Sequence, residues 1–133
     1  IIYDGAHNKP AMQNLINSVN MYYKNNKKVF IVSILKTKDY KGMLGELLQD
    51  KKATYIFTSG NSKERYVQGE VLANTAKEIM KEANIQVKNL KDSIYYSVKN
   101  YKDSTIFIVG SFYVYGDVIN ILKEIKNEST NCN

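Results

Sequence analysis

Val29-Phe30-Ile31-Val32-Ser33-Ile34-Leu35 is an apolar run broken only by one small hydroxyl, the pattern of a strand buried on both faces. Such strands belong to parallel sheets covered by helices on each side, so this run decides the fold class. Upstream, Met12, Leu15, Ile16, Val19, Tyr22 and Tyr23 follow i, i+3, i+4, i+7, i+10, i+11, the spacing of one helix face. Asn25 and Asn26 end that helix. Downstream, Tyr40, Met43, Leu44, Leu47 and Leu48 repeat the helical spacing behind Asp39 as its cap.

The alternation continues to both ends. Strands are expected over residues 53–58, 85–87 and 105–109. The longest helix is expected to carry Val67, Val71, Leu72, Ala76, Ile79, Met80 and Ala83. Ile94, Tyr95, Val98 and Tyr101 form a helical face with Asp92 as cap candidate, and Tyr115, Val118, Ile119, Leu122 and Ile125 form the last. Five apolar runs alternating with five amphipathic stretches predict an α/β, Rossmann-like, mostly parallel sheet of about five or six strands with helices on both faces. Short links and the lack of a repeat predict one compact unit over residues 1–127, followed by a disordered polar tail over 128–133.

The bulk properties suit a globular domain. At 133 residues the chain can bury roughly two thirds of its unfolded surface. Hydrophobic content of 44% and charged content of 24% are ordinary, and no apolar run reaches the roughly 20 residues of a membrane span. The only cysteine, Cys132, lies in the polar tail, so neither a disulfide framework nor a thiolate metal site can be built; a reducing, cytoplasmic setting is expected. Nineteen basic against thirteen acidic residues give +6. The lysines are scattered and Arg65 is the only arginine, whereas groove readers lean on arginine, so a solvated lysine surface is expected and no nucleic-acid partner. The eleven tyrosines read as packing and not as base-stacking platforms.

In open parallel sheets ligands bind beyond the carboxyl ends of the strands. Four segments share that edge. Asp4-Gly5-Ala6-His7-Asn8 places an acid and the only histidine in a glycine-containing turn after an apolar run, and Pro10 puts the cap of the next helix at Asn8 or Lys9. Asp4 is free there to accept hydrogen bonds from ligand hydroxyls and His7 to meet a phosphate or base; equally, Asp4 can satisfy loop amides and His7 can be a surface ring. Lys36, Lys38 and Asp39 form a second cluster, where a cap role for Asp39 is favoured over anion binding. The loop over residues 59–65 ends in Arg65, able to grip a carboxylate but more ordinarily solvated. Gly110-Ser111 offers a turn, a hydroxyl and a helix start. No G-x-x-x-x-G-K-[ST], G-x-G-x-x-G, nucleophile elbow or metal-spaced histidine pair is present, so the chain carries no chemical engine of its own.

Three blocks together resemble the C-terminal domain of folylpolyglutamate synthase, whose bacterial form is often also dihydrofolate synthase, within the Mur ligase superfamily. They are Asp4-Gly5-Ala6-His7-Asn8, Ser33-Ile34-Leu35-Lys36-Thr37-Lys38-Asp39-Tyr40-Lys41-Gly42-Met43-Leu44, and Gly110-Ser111-Phe112-Tyr113-Val114-Tyr115-Gly116-Asp117-Val118. They stand in the family's order and cover nearly the whole chain. The resemblance implies an ATP- and Mg2+-dependent amide ligase that phosphorylates a carboxyl of a folate or dihydropteroate and joins L-glutamate to it. It implies further that an N-terminal ATPase domain, expected upstream because the chain opens in mid-motif, carries the P-loop and most contacts to ATP and Mg2+. Asp4, His7 and Asn8 then match nucleotide-binding positions of the closing domain, and Ser111 a position on the glutamate side. Two departures stand out: Lys9 separates Asn8 from Pro10, and the 59–65 loop lacks the family's proline. The rivals are a Mur-type peptidoglycan precursor ligase, a stand-alone nucleotide-binding module, and a receiver-type signalling module. The last is disfavoured because Thr58-Ser59 and Gly110-Ser111 stand where a receiver needs aspartate and lysine.

Overall fold

The computed structural model describes residues 1–131. Ten elements alternate: β1 (Ile2–Asp4), α1 (Lys9–Tyr22), β2 (Lys27–Val32), α2 (Tyr40–Leu47), β3 (Thr54–Phe57), α3 (Gly69–Ile79), β4 (Asn84–Val87), α4 (Leu90–Asn100), β5 (Ser104–Val109) and α5 (Tyr115–Asn131). All strand pairs are parallel, in the order β1-β5-β2-β3-β4. The expected α/β architecture therefore takes its five-stranded form.

The order has a physical reading. α1, α2 and α3 carry the chain in one direction along the sheet and pack on one face, with Met12, Ile16, Met43, Leu44, Leu72 and Ala76 against Phe30, Val32, Tyr55, Phe57, Phe107 and Val109. α4 then brings the chain back past β3 and β2 to set β5 between β2 and β1, and its return runs over the opposite face. There Leu90, Ile94, Val118 and Ile121 cover Val29, Ile31, Ile56, Ile106 and Ile108. Crossovers in opposite directions must use opposite faces if each is right-handed. The near-unbroken apolar run of β2 follows: odd residues face one layer and even residues the other.

Some tyrosines serve this core as expected, whereas Tyr22, Tyr113 and Tyr115 are exposed and Tyr22 and Tyr115 leave the buried stripes expected for α1 and α5. Phe30 stacks between Tyr55 and Phe107 at centroid distances of 5.4 and 5.1 Å, and Tyr23 meets Phe107 edge-on. The Tyr55 hydroxyl donates to the Asp50 carbonyl at 3.0 Å, and burial pushes its pKa up to about 12.

Several local expectations are corrected. α3 has 11 residues against 14 for α1 and 17 for α5, so it is not the longest helix. Val67 lies before it because its amide is drawn to the Ile34 carbonyl, while Tyr66 bridges to Leu35. The same pairing takes Ile34 and Leu35 out of β2. Asn89, not Asp92, caps α4: its Oδ1 accepts the Asp92 amide at 2.7 Å. In α5 the buried stripe includes Ile121, with Ile119 only partly covered, so the helix is rotated from the expected face. α5 also continues through Asn131, which makes residues 128–131 of the expected tail helical; Cys132 lies outside the described residues. Among the described residues no helix is long and apolar enough to cross a membrane.

Candidate functional site at the carboxyl edge of the sheet

β1 and β2 send their following chain to one face of the sheet and β5, lying between them, sends its chain to the other. The divergence opens a crevice at their carboxyl ends, the place where open α/β sheets hold ligands. A cleft of about 290 Å³ lies there, lined by His7, Leu35, Thr37, Lys38, Ser111, Phe112 and Tyr113. Three of the four expected segments thus meet.

Asp4 ends β1, and its Oδ1 accepts the Ala6 amide at 2.9 Å, closing the turn. Its Oδ2 makes no hydrogen bond among the described residues, so the carboxylate both builds the loop and keeps one oxygen for a ligand. The His7 Nδ1 lies 3.0 Å from the Gly5 carbonyl; a carbonyl only accepts, so Nδ1 carries the proton and Nε2 is the free nitrogen. The imidazole is held against the Phe112 ring at 5.3 Å between centroids. Gly5 has an ordinary backbone conformation, and its role is space: a Cβ there would overlap the Phe112 ring. Asn8 caps α1, its Oδ1 accepting the Ala11 amide at 2.8 Å, which leaves the amide NH2 for anything outside. With Asn8 as cap, Lys9 is the first helical residue, and the inserted lysine does not delay the helix.

Ser111 stands differently. It is buried, with its Oγ 2.8 Å from the Tyr66 hydroxyl and accepting the Tyr113 amide at 3.1 Å, while its carbonyl accepts a short bond from the Tyr3 hydroxyl. Burial, then Tyr66, Tyr115 and Asp4 nearby, push Tyr3 up to about 12, so it is a proton donor throughout the physiological range. Gly110, at φ +106°, brings the backbone onto the Ser33 carbonyl so closely that no Cβ fits. Asn61 adds a clamp from the 59–65 loop, its Nδ2 donating to the Tyr113 carbonyl at 3.1 Å and to Asp117 at 2.6 Å. The loop after β5 is therefore held by β1, β2 and the β3–α3 connection together.

Arg65 is exposed, and its side chain makes no ion pair among the described residues; its carbonyl accepts the Lys36 amide at 2.9 Å, tying two loops together. Asp39 caps α2, accepting the Gly42 amide at 3.0 Å. Tyr66, Phe112 and Tyr113 were given no role by sequence reasoning. Tyr66 follows a polar loop and precedes a helix, so no periodicity marks it as buried; two adjacent aromatics after Gly110-Ser111 were the available signal for the others. No group of three histidine, cysteine, aspartate or glutamate side chains is arranged to hold a metal among the described residues.

Comparison with known proteins shows the family and the fold. Residues 1–121 match the family described as dihydrofolate synthetase, C-terminal domain. The probable dihydrofolate synthetase of Schizosaccharomyces pombe is 32% identical over 92% of this chain, which spans only 31% of that protein. Among solved structures, the Mycobacterium tuberculosis folylpolyglutamate synthase complexed with ADP and AMPPCP is 26% identical with a TM-score of 0.70, over 81% of this chain and 26% of that one. E. coli FolC in complex with DHPP and ADP shares the fold at a TM-score of 0.76 and 20% identity, over 92% of this chain and 28% of that one.

Proposed function

The chain belongs to the dihydrofolate synthetase C-terminal domain family, and we propose from that premise that it is the closing half of an ATP-dependent ligase joining L-glutamate to a pteroate or folate carboxyl. The observation that carries this reading is the Asp4–Asn8 turn, which reaches the crevice wall through His7 and leaves Asp4 Oδ2 and His7 Nε2 both unengaged. ATP supplies the phosphoryl group that activates the acceptor carboxyl, and the glutamate amine then displaces the phosphate to form the amide. The P-loop and the magnesium ligands lie on an N-terminal ATPase domain; the turn at Asp4–Asn8 fits the nucleotide, and the described residues hold no group of three metal-ligating side chains.

Each residue's part follows from its geometry. Asp4 accepts ribose hydroxyls through its free oxygen, and His7 presents Nε2 as an acceptor to a hydroxyl or an N–H on a base edge, its ring fixed by Gly5 and Phe112. Asn8 directs its NH2 outward beside the positive end of α1. Ser111 shapes the glutamate side by holding the Phe112-Tyr113 loop, its own hydroxyl being engaged by Tyr66 and Tyr113. Closure of this domain over the other excludes water, which would otherwise hydrolyse the activated acyl group. The proposed setting is the cytoplasm, where ATP is supplied.

The test uses the full-length protein. Asp4→Ala is expected to raise the KM for ATP and lower glutamate ligation by the equivalent of about 1.5–3 kcal/mol, typical of a hydrogen bond to a charged group. Unchanged activity and KM would remove Asp4 from the site. Likeness to a dihydrofolate synthetase makes dihydropteroate the first acceptor to try, with tetrahydrofolate as the second.

A further inference from the structure

The +6 charge of the chain is not spread evenly. Two adjoining hollows at the amino-terminal edge of the sheet, opposite the crevice, share Lys28 and Lys52. The first, about 620 Å³, is also lined by Lys27, Lys99 and Lys102, with Asp103 as its only acid. The second adds Lys24, Lys51 and Asp50. Seven lysines against two aspartates give +5 for this edge; the other twelve basic and eleven acidic residues of the chain give only +1.

Little inside the protein neutralises that charge. Lys28 is buried and paired with Asp50 at 2.9 Å, but no carboxylate of the described residues lies within ion-pair distance of Lys27, Lys52, Lys99 or Lys102. Helix carboxyl ends favour lysines, yet α1 and α2 have none in their last turns, and of these four only Lys99 lies in one. Four uncompensated ammonium groups around one concave surface repel one another, and the concavity focuses their field outward. Lysine is suited to phosphate as a point charge. The hollow's size is that of a small-molecule site. Thr54, Asn100 and Ser104 add neutral hydrogen-bonding groups to its wall.

We propose that this hollow, formed where β2, β3 and β5 begin and α4 ends, is a second ligand site, for a compact anion carrying several phosphate groups. Six residues of β2 at about 3.3 Å each put it roughly 20 Å from the crevice. It is independent of the reading of the crevice, because none of its residues lines that cleft.

Calorimetric titration of the full-length protein with tripolyphosphate at 0.15 M salt tests it, comparing wild type with Lys27→Gln/Lys102→Gln. Both replaced side chains are exposed, so the fold is retained, which an unchanged Tm verifies. The expected result is a binding event in the wild type that the variant loses or weakens at least tenfold while nucleotide affinity is unchanged. Identical isotherms for the two proteins would overturn the proposal. So would a single-stranded oligonucleotide of about 20 nucleotides that binds through the same lysines at least tenfold more tightly than tripolyphosphate, since that would make the edge a polymer-binding surface.

Discussion

Ser111→Ala separates a pin in the architecture from a group that acts only on a ligand. In the folded chain Oγ holds two partners, the Tyr66 hydroxyl at 2.8 Å and the Tyr113 amide at 3.1 Å, and Tyr66 is wholly buried. Two net hydrogen bonds are worth about 1 kcal/mol each, and an orphaned buried hydroxyl costs about 1–3 kcal/mol; because these overlap, the expected loss is about 2–4 kcal/mol. Tyr66→Phe removes one bond and leaves Ser111 its amide partner, for a loss of about 1 kcal/mol. In the double variant the orphan disappears, so its cost falls short of the sum by about 1–2 kcal/mol. Urea unfolding of the four ligand-free proteins, with ΔG extrapolated linearly, reads all three numbers. A Ser111→Ala loss under 0.5 kcal/mol, or additivity of the two changes within about 0.3 kcal/mol, would refute the pin and return the hydroxyl to a direct role on substrate.

Gly110→Ala combines backbone strain at φ +106° with overlap on the Ser33 carbonyl, a backbone atom that cannot swing aside, and is expected to cost about 3 kcal/mol or more. A thermal scan should show Tm lower by roughly 10 °C; a drop under about 3 °C would mean the β2 and β5 ends are not in contact. Partial burial pushes the Asp50 carboxyl up, but the Lys28 ammonium and the Lys52 and Ala53 amides outweigh it and hold it below its ordinary value. A depressed folded value makes its contribution complete above the unfolded pKa near ~4 and lost as pH falls through the folded one. Asp50→Asn should therefore destabilise the protein at pH 7 and flatten the decline below about pH 4, measured as urea midpoints across that range; parallel curves for the two proteins would contradict the pairing.

What the sequence disclosed follows from how local each cause is. The β2 run and the i, i+3, i+4 stripes report burial directly, so element order and the two-faced cover were legible, as were the cap at Asp39 and, as one of two candidates beside Lys9, that at Asn8. Asn89 was missed because Asp92, three residues on, offers the same chemistry and only the backbone angle decides between them. The start of α3 was misjudged because Tyr66 and Val67 obey partners 31 and 33 residues away, at Leu35 and Ile34. Of the residues lining the crevice, His7 was readable from the turn that Asp4 opens. The packing of Phe112 against His7 and the bonds Tyr66 and Tyr3 make to Ser111 join residues up to 108 apart, and no window of sequence contains them.

The position of β5 governs how the crevice comes into being. β1 has a single neighbour in the sheet, and Ile2 aligns with Phe107, so the first strand has nothing to hydrogen-bond until the last one arrives. A partly folded chain can assemble β2, β3 and β4 and still lack the His7 and Ser111–Tyr113 walls of the crevice, because the Asp4–Asn8 turn hangs from an unanchored end. Losing the final strand, by truncation or by slow closure of this long loop, would erase the Asp4–Asn8 turn more than a hundred residues away while sparing half the sheet.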